Sequence, residues 1–253
     1  MGKLADRLKE VIERPVRPIG FRAGAAQAKP PALVLLANID GGQKEEAARA
    51  VHEGAQGVLA AVGTATADET LAELATAAGG GLWGGALEAG GRADVERLRE
   101  AGAHFVLFRS TGVSGEGLEA EEIDKILEVE QNWPDMLLRP VDRLPVAAAL
   151  YRLQEGEALS IQALLQCRRI VALVGKPLLV SLPPGIGTSA LTLLRDAGVM
   201  GVVVSASAVA EFHAAIRDLP PPKRDHERMD AVLPRGGPAP LQEADDDDEE
   251  EDE

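Results

Sequence analysis

One unit is written twice in this chain. "LREAGAHFVLFR" (98–109) and "LRDAGVMGVVVS" (194–205) each run from the end of an amphipathic helix, through a glycine, into a short apolar run. "VHEGAQGVLAAV" (51–62) is a looser copy. A recurring unit constrains architecture more than any isolated motif, because every copy must pack against its neighbours in the same way. At Gly54, Gly102 and Gly198 the helix has to end in a left-handed turn, which glycine adopts without strain at Cβ. The apolar run that follows lacks polar alternation, the pattern of a strand covered on both faces.

Extending this pattern along the chain predicts eight strands, at 32–39, 57–63, 81–87, 104–110, 125–131, 146–152, 177–183 and 201–207. They recur every 21 to 31 residues, and each is expected to be followed by a helix. Strict alternation implies parallel strands joined by right-handed crossovers. Eight such units are the number that closes into a (β/α)8 TIM barrel. An open doubly wound sheet also alternates, but it ordinarily carries a Gly-rich nucleotide loop after its first strand, which "NIDGGQ" matches only faintly. Aromatic residues make up 3% of the chain, so the core has to be built from Ala, Val, Leu and Ile.

The expected organisation has three parts. Residues 1–31 hold an amphipathic helix with Leu4, Leu8, Val11 and Ile12 on one face, then a Pro-punctuated lead-in. The helix reads as a cap over the N-terminal mouth, with a partner-binding helix as the alternative. Residues 32–219 form the compact barrel, and 220–253 lose periodicity and read as a disordered tail. Of the formal charge of −15, ten carboxylates lie in the last eleven residues, which leaves the body at about −5. No basic stripe with interleaved aromatics appears, which argues against nucleic-acid binding. The longest apolar stretch is too short to span a bilayer. A lone cysteine, Cys167, and a charged N-terminus without an apolar signal core point to a cytoplasmic protein. The acidic tail reads either as a solubilising segment or as a docking segment for a protein partner.

In a barrel of this kind, chemistry gathers at the C-terminal ends of the strands. Polar residues expected there are Asn38 and Asp40, Glu88, Arg109 and Ser110, Glu128 and Glu130, Arg152, Ser181, Ser205 and Ser207. In "ILEVEQ" a period of two puts Glu128 and Glu130 on the face opposite Leu127 and Val129, directed into the barrel. The same argument directs Arg109 inward. Charges so placed need partners or a ligand. Two readings follow. One is an acid/base or divalent-metal site, such as Mg or Mn, in which Glu128, Glu130 and Arg109 are catalytic and Asp40 and Glu88 are further oxygen ligands. The other is a satisfied Glu–Arg network. No lysine ends a strand, which argues against Schiff-base chemistry, and no histidine is expected at that mouth. Trp133, in "QNWPD", is placed to line a pocket.

"KPLLVSLPPGIGTSALTLLRDAGVMGVVVSASAV" (176–209) resembles the last two units of the phosphate-binding (β/α)8 barrels. That group includes indole-glycerol-phosphate synthase, phosphoribosylanthranilate isomerase and the FMN-dependent nitronate monooxygenases. The resemblance implies a phosphate held by backbone N–H groups and a helix N-terminus, at Gly185, Gly187 and Thr188 after strand seven and at Ser205, Ala206 and Ser207 after strand eight. It implies a small anionic ligand or FMN. The chain departs from the pattern at Pro183 and Pro184, which lack N–H donors, and at Ser205, where glycine is more usual. Two functions therefore remain: an enzyme or binder of a small phosphorylated ligand, and a non-catalytic barrel serving as an assembly or regulatory module.

Overall fold

Each of the eight apolar runs is a strand in the computed structural model, which describes residues 2–12, 31–39, 43–154 and 159–220. The strands are β1 (Val34–Ile39), β2 (Gly57–Val62), β3 (Leu82–Leu87), β4 (Phe105–Phe108), β5 (Asp124–Val129), β6 (Ala148–Arg152), β7 (Leu178–Ser181) and β8 (Val199–Ser205). All neighbours pair in parallel and in chain order, and β8 returns to β1, with Val34 opposite Gly201 and Asn38 opposite Ser205. The ring is closed. The chain is a (β/α)8 barrel, not an open sheet.

The helices are α1 (Lys3–Ile12), α2 (Lys44–His52), α3 (Asp68–Ala77), α4 (Arg92–Glu100), α5 (Asp135–Leu138), α6 (Ile161–Val174), α7 (Ala190–Asp196) and α8 (Val209–Asp218). The helices before β4 and β8 end as the repeat requires, with Gly102 and Gly198 at φ of 86° and 94°. The expectation that every strand is followed by a full helix fails twice. After β4 the Gly-rich segment forms only a 3-10 turn, Gly115–Glu119. After β5 a single helical turn gives way to a 3-10 turn holding Pro140, whose missing N–H cannot continue an α-helical ladder. β7 likewise stops at Ser181, short of the two prolines.

Alternation along the strands sorts the core into two layers. Outward residues such as Leu35, Val58, Val106 and Val202 pack under the helices, together with Leu71, Leu98, Ile170 and Phe212. Inward residues fill the barrel itself: Val34 and Leu36, Leu59, Leu82, Phe105 and Leu107, Ile126, Leu150, Leu179 and Val203. Small residues make room for the large ones. A Cβ on Gly84 would come within 2.3 Å of the Phe105 carbonyl oxygen, so β3 has to yield there to the phenylalanine beside it.

Helix α1 closes the N-terminal mouth. Its Leu4, Leu8 and Val11 belong to the same cluster as the barrel interior, and Leu4 and Leu8 are fully buried. The apolar face that could have bound a partner is thus spent within the chain. The helix is tied down electrostatically as well. Asp124, at the start of β5, accepts the Leu4 and Ala5 amides at 2.9 and 3.0 Å, supplying an N-terminal cap from 120 residues away. Gly2 permits this approach, since a Cβ there would lie 2.0 Å from the Asp124 carboxylate. Beside it, Lys3 Nζ lies 3.0 Å from His104 Nε2, while His104 Nδ1 accepts the Trp83 amide at 3.2 Å. The Pro-punctuated lead-in and the acidic tail lie outside the described residues.

Two outcomes test this closure. Leu8→Ala should lower stability by about 2–5 kcal/mol in urea unfolding, because the cavity it leaves is walled by barrel side chains that cannot collapse into it. Burial, and next the Lys3 cation, push the His104 pKa below its ordinary 6.5. The unfolded chain therefore takes up that proton more readily. The contribution is present above pH 6.5 and is lost as pH falls toward the folded value. Urea midpoints should drop between pH 7.5 and 5.5, and His104→Asn should flatten that part of the profile.

Candidate functional site

The inward rows change character as they reach the C-terminal mouth. Two residues beyond the buried Leu36, Leu107, Ile126, Leu150, Leu179 and Val203 stand Asn38, Arg109, Glu128, Arg152, Ser181 and Ser205. A strand's period of two keeps the pairs of β1, β5, β6, β7 and β8 on one face. Arg109, one residue past the end of β4, joins them through its ion pair with Glu128, so the apolar filling of the barrel is capped by a polar layer.

Glu128 is the centre of that layer. Its side chain is only 14% exposed, and it lies between two guanidinium groups. Arg152 Nε approaches Oε1 at 3.2 Å, and Arg109 Nε lies 3.6 Å from Oε2. Arg109 also reaches Glu88, with NH1 to Oε1 at 3.1 Å. The outcome is a chain of alternating charge, Glu88–Arg109–Glu128–Arg152, whose outer members are in contact with water. Glu128 Oε2 is buried and, with Arg109 at 3.6 Å, is held by an ion pair without a hydrogen bond.

Glu130 is placed differently. Strand β5 ends at Val129, so the alternation that would direct Glu130 inward stops one residue short of it. The residue is exposed, and its Oε1 accepts the Ser110 hydroxyl at 3.0 Å. Glu128, Glu130, Gln131, Asn132, Arg152 and Gln154 line an open cleft of about 640 Å³ at this mouth. Trp133 is not among the lining residues; it packs half-buried against the outer core, and its carbonyl accepts from Arg169 at 2.7 Å. The sequence marked Arg152 only as a strand end, yet it is the nearest cation to Glu128.

The two loops that resemble phosphate-binding turns stand on the neighbouring arc of the rim. After β7, Pro183–Ile186 form a turn with Gly185 at φ 97°, and Gly187 and Thr188 lead into α7. A Cβ built on Gly187 would meet nothing within 4 Å, so the backbone there is open to approach. After β8 the chain enters a 3-10 turn, Ala206–Ala208, that continues directly into α8. The first N–H groups of such a run have no acceptor within the helix. Ser205 and Ser207 are exposed, with their hydroxyls 3.1 Å apart, and Ala206 is buried. None of these residues lines the cleft beside Glu128, so the structure presents a charged arc and an amide-rich arc on one rim.

Asp40 lies outside the described residues. Glu88 is engaged by Arg109, and among the described residues no group of three or more His, Cys, Asp or Glu could hold a metal ion. Cys167, fully buried in α6, is removed from any such chemistry: burial raises its thiol pKa to about 11.

Solved structures of the same architecture include phosphoribosyl anthranilate isomerase from Thermus thermophilus, at 16% identity and a TM-score of 0.57 over 73% of this chain and 98% of that one. A mutant tryptophan synthase alpha-subunit from Pyrococcus furiosus matches at 16% identity and a TM-score of 0.57, over 73% and 94%. Thiamine phosphate pyrophosphorylase from Pyrococcus furiosus matches at 14% and 0.53, over 73% and 92%. These likenesses establish the fold. No protein-family model and no curated protein matches the sequence.

The state of Cys167 is directly testable. A thiol reagent at pH 8 should leave the native protein unlabelled and label it fully in denaturant. Because the folded thiol is harder to ionise than the unfolded one, its contribution to stability is intact below about pH 9 and is lost as pH rises through 11.

Proposed function

We propose that the protein binds a small phosphorylated molecule across the C-terminal mouth, with the phosphate on the amide-rich arc and the reacting or recognised portion against Glu128. The observation that carries this reading is Glu128, a mostly buried carboxylate held between two guanidinium groups on the wall of an open cleft. A ligand N–H or O–H in the cleft would donate to the part of this carboxylate that stays exposed. In this arrangement Glu128 accepts or returns a proton at the ligand, and Arg109 and Arg152 orient it and offset negative charge on the bound molecule. Glu130, held by Ser110, contributes a second carboxylate at the outer edge. Amides at Gly187 and Thr188 and at Ser205, Ala206 and Ser207 receive the phosphate. The names of two structural neighbours, an isomerase and a pyrophosphorylase of phosphorylated compounds, are consistent with this placement without assigning a reaction.

FMN and a sugar phosphate present the same phosphate chemistry to that arc. A flavin would supply hydride chemistry of its own, and the residues named here would do no more than seat it. The cleft volume lies within the range of small-ligand sites.

A second reading is favoured by the ion-pair chain itself. Its four charges alternate in sign and are paired at 3.1 to 3.6 Å, as a barrel without chemistry would also need. Thermal shift with inorganic phosphate, ribose 5-phosphate and FMN separates the two readings. Binding predicts a raised melting temperature with at least one of them, by about 2.7 kcal/mol of added stability at a hundredfold excess over Kd. Glu128→Gln should then abolish the response of the organic ligands. Its own effect on stability should stay within about 1 kcal/mol, because the two arginines it leaves are water-accessible. A flat response to all three in the wild-type protein would leave the non-catalytic barrel as the reading.

A further inference from the structure

Among the described residues, the large apolar side chains left at least half exposed all lie on three consecutive helices. They are Met136 and Leu137 on α5, Ile161 and Leu165 on α6, and Leu193 on α7. No such residue decorates α2, α3, α4 or α8. Scattered surface leucines are ordinary, but this segregation to one side of a ring is not. On α6 the exposed stripe Ile161–Leu165–Arg168 follows helical spacing, so these side chains form one outward ridge. The ridge is cationic. Arg139, Arg143 and Arg168 are exposed, and none of them forms an ion pair among the described residues, whereas Arg169 is taken up by Asp135.

The opposite side of the ring is its complement. A groove of about 470 Å³ between α2 and α3 has a floor of Ala48, Ala72 and Ala77 and a rim of Glu45, Glu69 and Glu73. Lys44 is engaged by Glu73 at 2.8 Å, which leaves Glu45 and Glu69 in excess. An apolar ridge flanked by unpaired arginines thus faces away from one side of the molecule, and a small-residue groove flanked by unpaired glutamates faces away from the other.

We infer that the protein associates with further copies of itself head to tail, the α6 ridge of one copy seated in the α2–α3 groove of the next. Charge decides the geometry. A two-fold contact through α5–α7 alone would set Arg139, Arg143 and Arg168 against their own copies, which opposes binding. Ridge-to-groove contact joins opposite charges instead. Ridge and groove lie three to four units apart in an eight-unit ring, so a bound pair keeps one free ridge and one free groove. Such a contact propagates rather than closing at two.

Sedimentation or light scattering of the full chain, from micromolar to millimolar protein, tests this. The weight-average mass should climb past twice the 26.6 kDa of one chain and fall back as salt is added. Leu165→Glu on the ridge and Ala72→Arg in the groove should each abolish that growth while leaving the melting temperature unchanged, since both positions are exposed. An equimolar mixture of the two should regain dimers and nothing larger, because each variant keeps one competent surface. Arg168→Glu and Glu69→Lys should each weaken association, and combined in one chain they should restore it. A monomer at every concentration overturns the inference. So does growth that ignores both variants, or a dimer abolished by Leu165→Glu and untouched by Ala72→Arg.

Discussion

The parallel ladder between β8 and β1 is the contact on which the molecule depends. Once Val34 faces Gly201 and Asn38 faces Ser205, no strand has a free edge, and every inward side chain has to fit a volume of fixed diameter. That constraint explains why Gly84 stands beside Phe105, and why α1 inserts leucines at one mouth instead of leaving it to water. It also explains why charge is confined to the two ends of the ring. With the centre filled by apolar side chains, Asp124 and Lys125 stand where β5 begins, and Glu128, Arg109 and Arg152 gather where the strands end.

The charged mouth is balanced rather than strongly strained. Glu128 is the one member of its ion-pair chain drawn largely out of water, and two cations accompany it. Arg109 and Arg152 retain contact with solvent, so their desolvation is slight and their attraction to Glu128 is moderated by water.

Most of the architecture was legible in the sequence, because it rests on local signals. Glycines after amphipathic helices and unbroken valine runs mark where units begin and end, and counting those units gives the ring. What was not legible depends on where a strand stops or on what lies across from it. Glu130 shares the alternation of Glu128 on paper, yet the ladder ends at Val129 and leaves it on the rim in reach of Ser110. The pairing of Arg152 with Glu128 needs the register of β6 against β5, which no single segment encodes. The helix expected after β4 is replaced by a 3-10 turn because glycines at 112, 115 and 117 favour turns over a helical ladder.

The cap that Asp124 gives α1 has a consequence in time. The acceptor is synthesised about 120 residues after the amides it serves, a delay on the order of ten seconds on a translating ribosome. Throughout that interval the leucine face of α1 has no barrel to enter, and its leading amides have no carboxylate. The nascent chain therefore carries that leucine face unsheltered until half of the ring has emerged, and a segment of ten residues gains its lasting helix only when the barrel and Asp124 arrive.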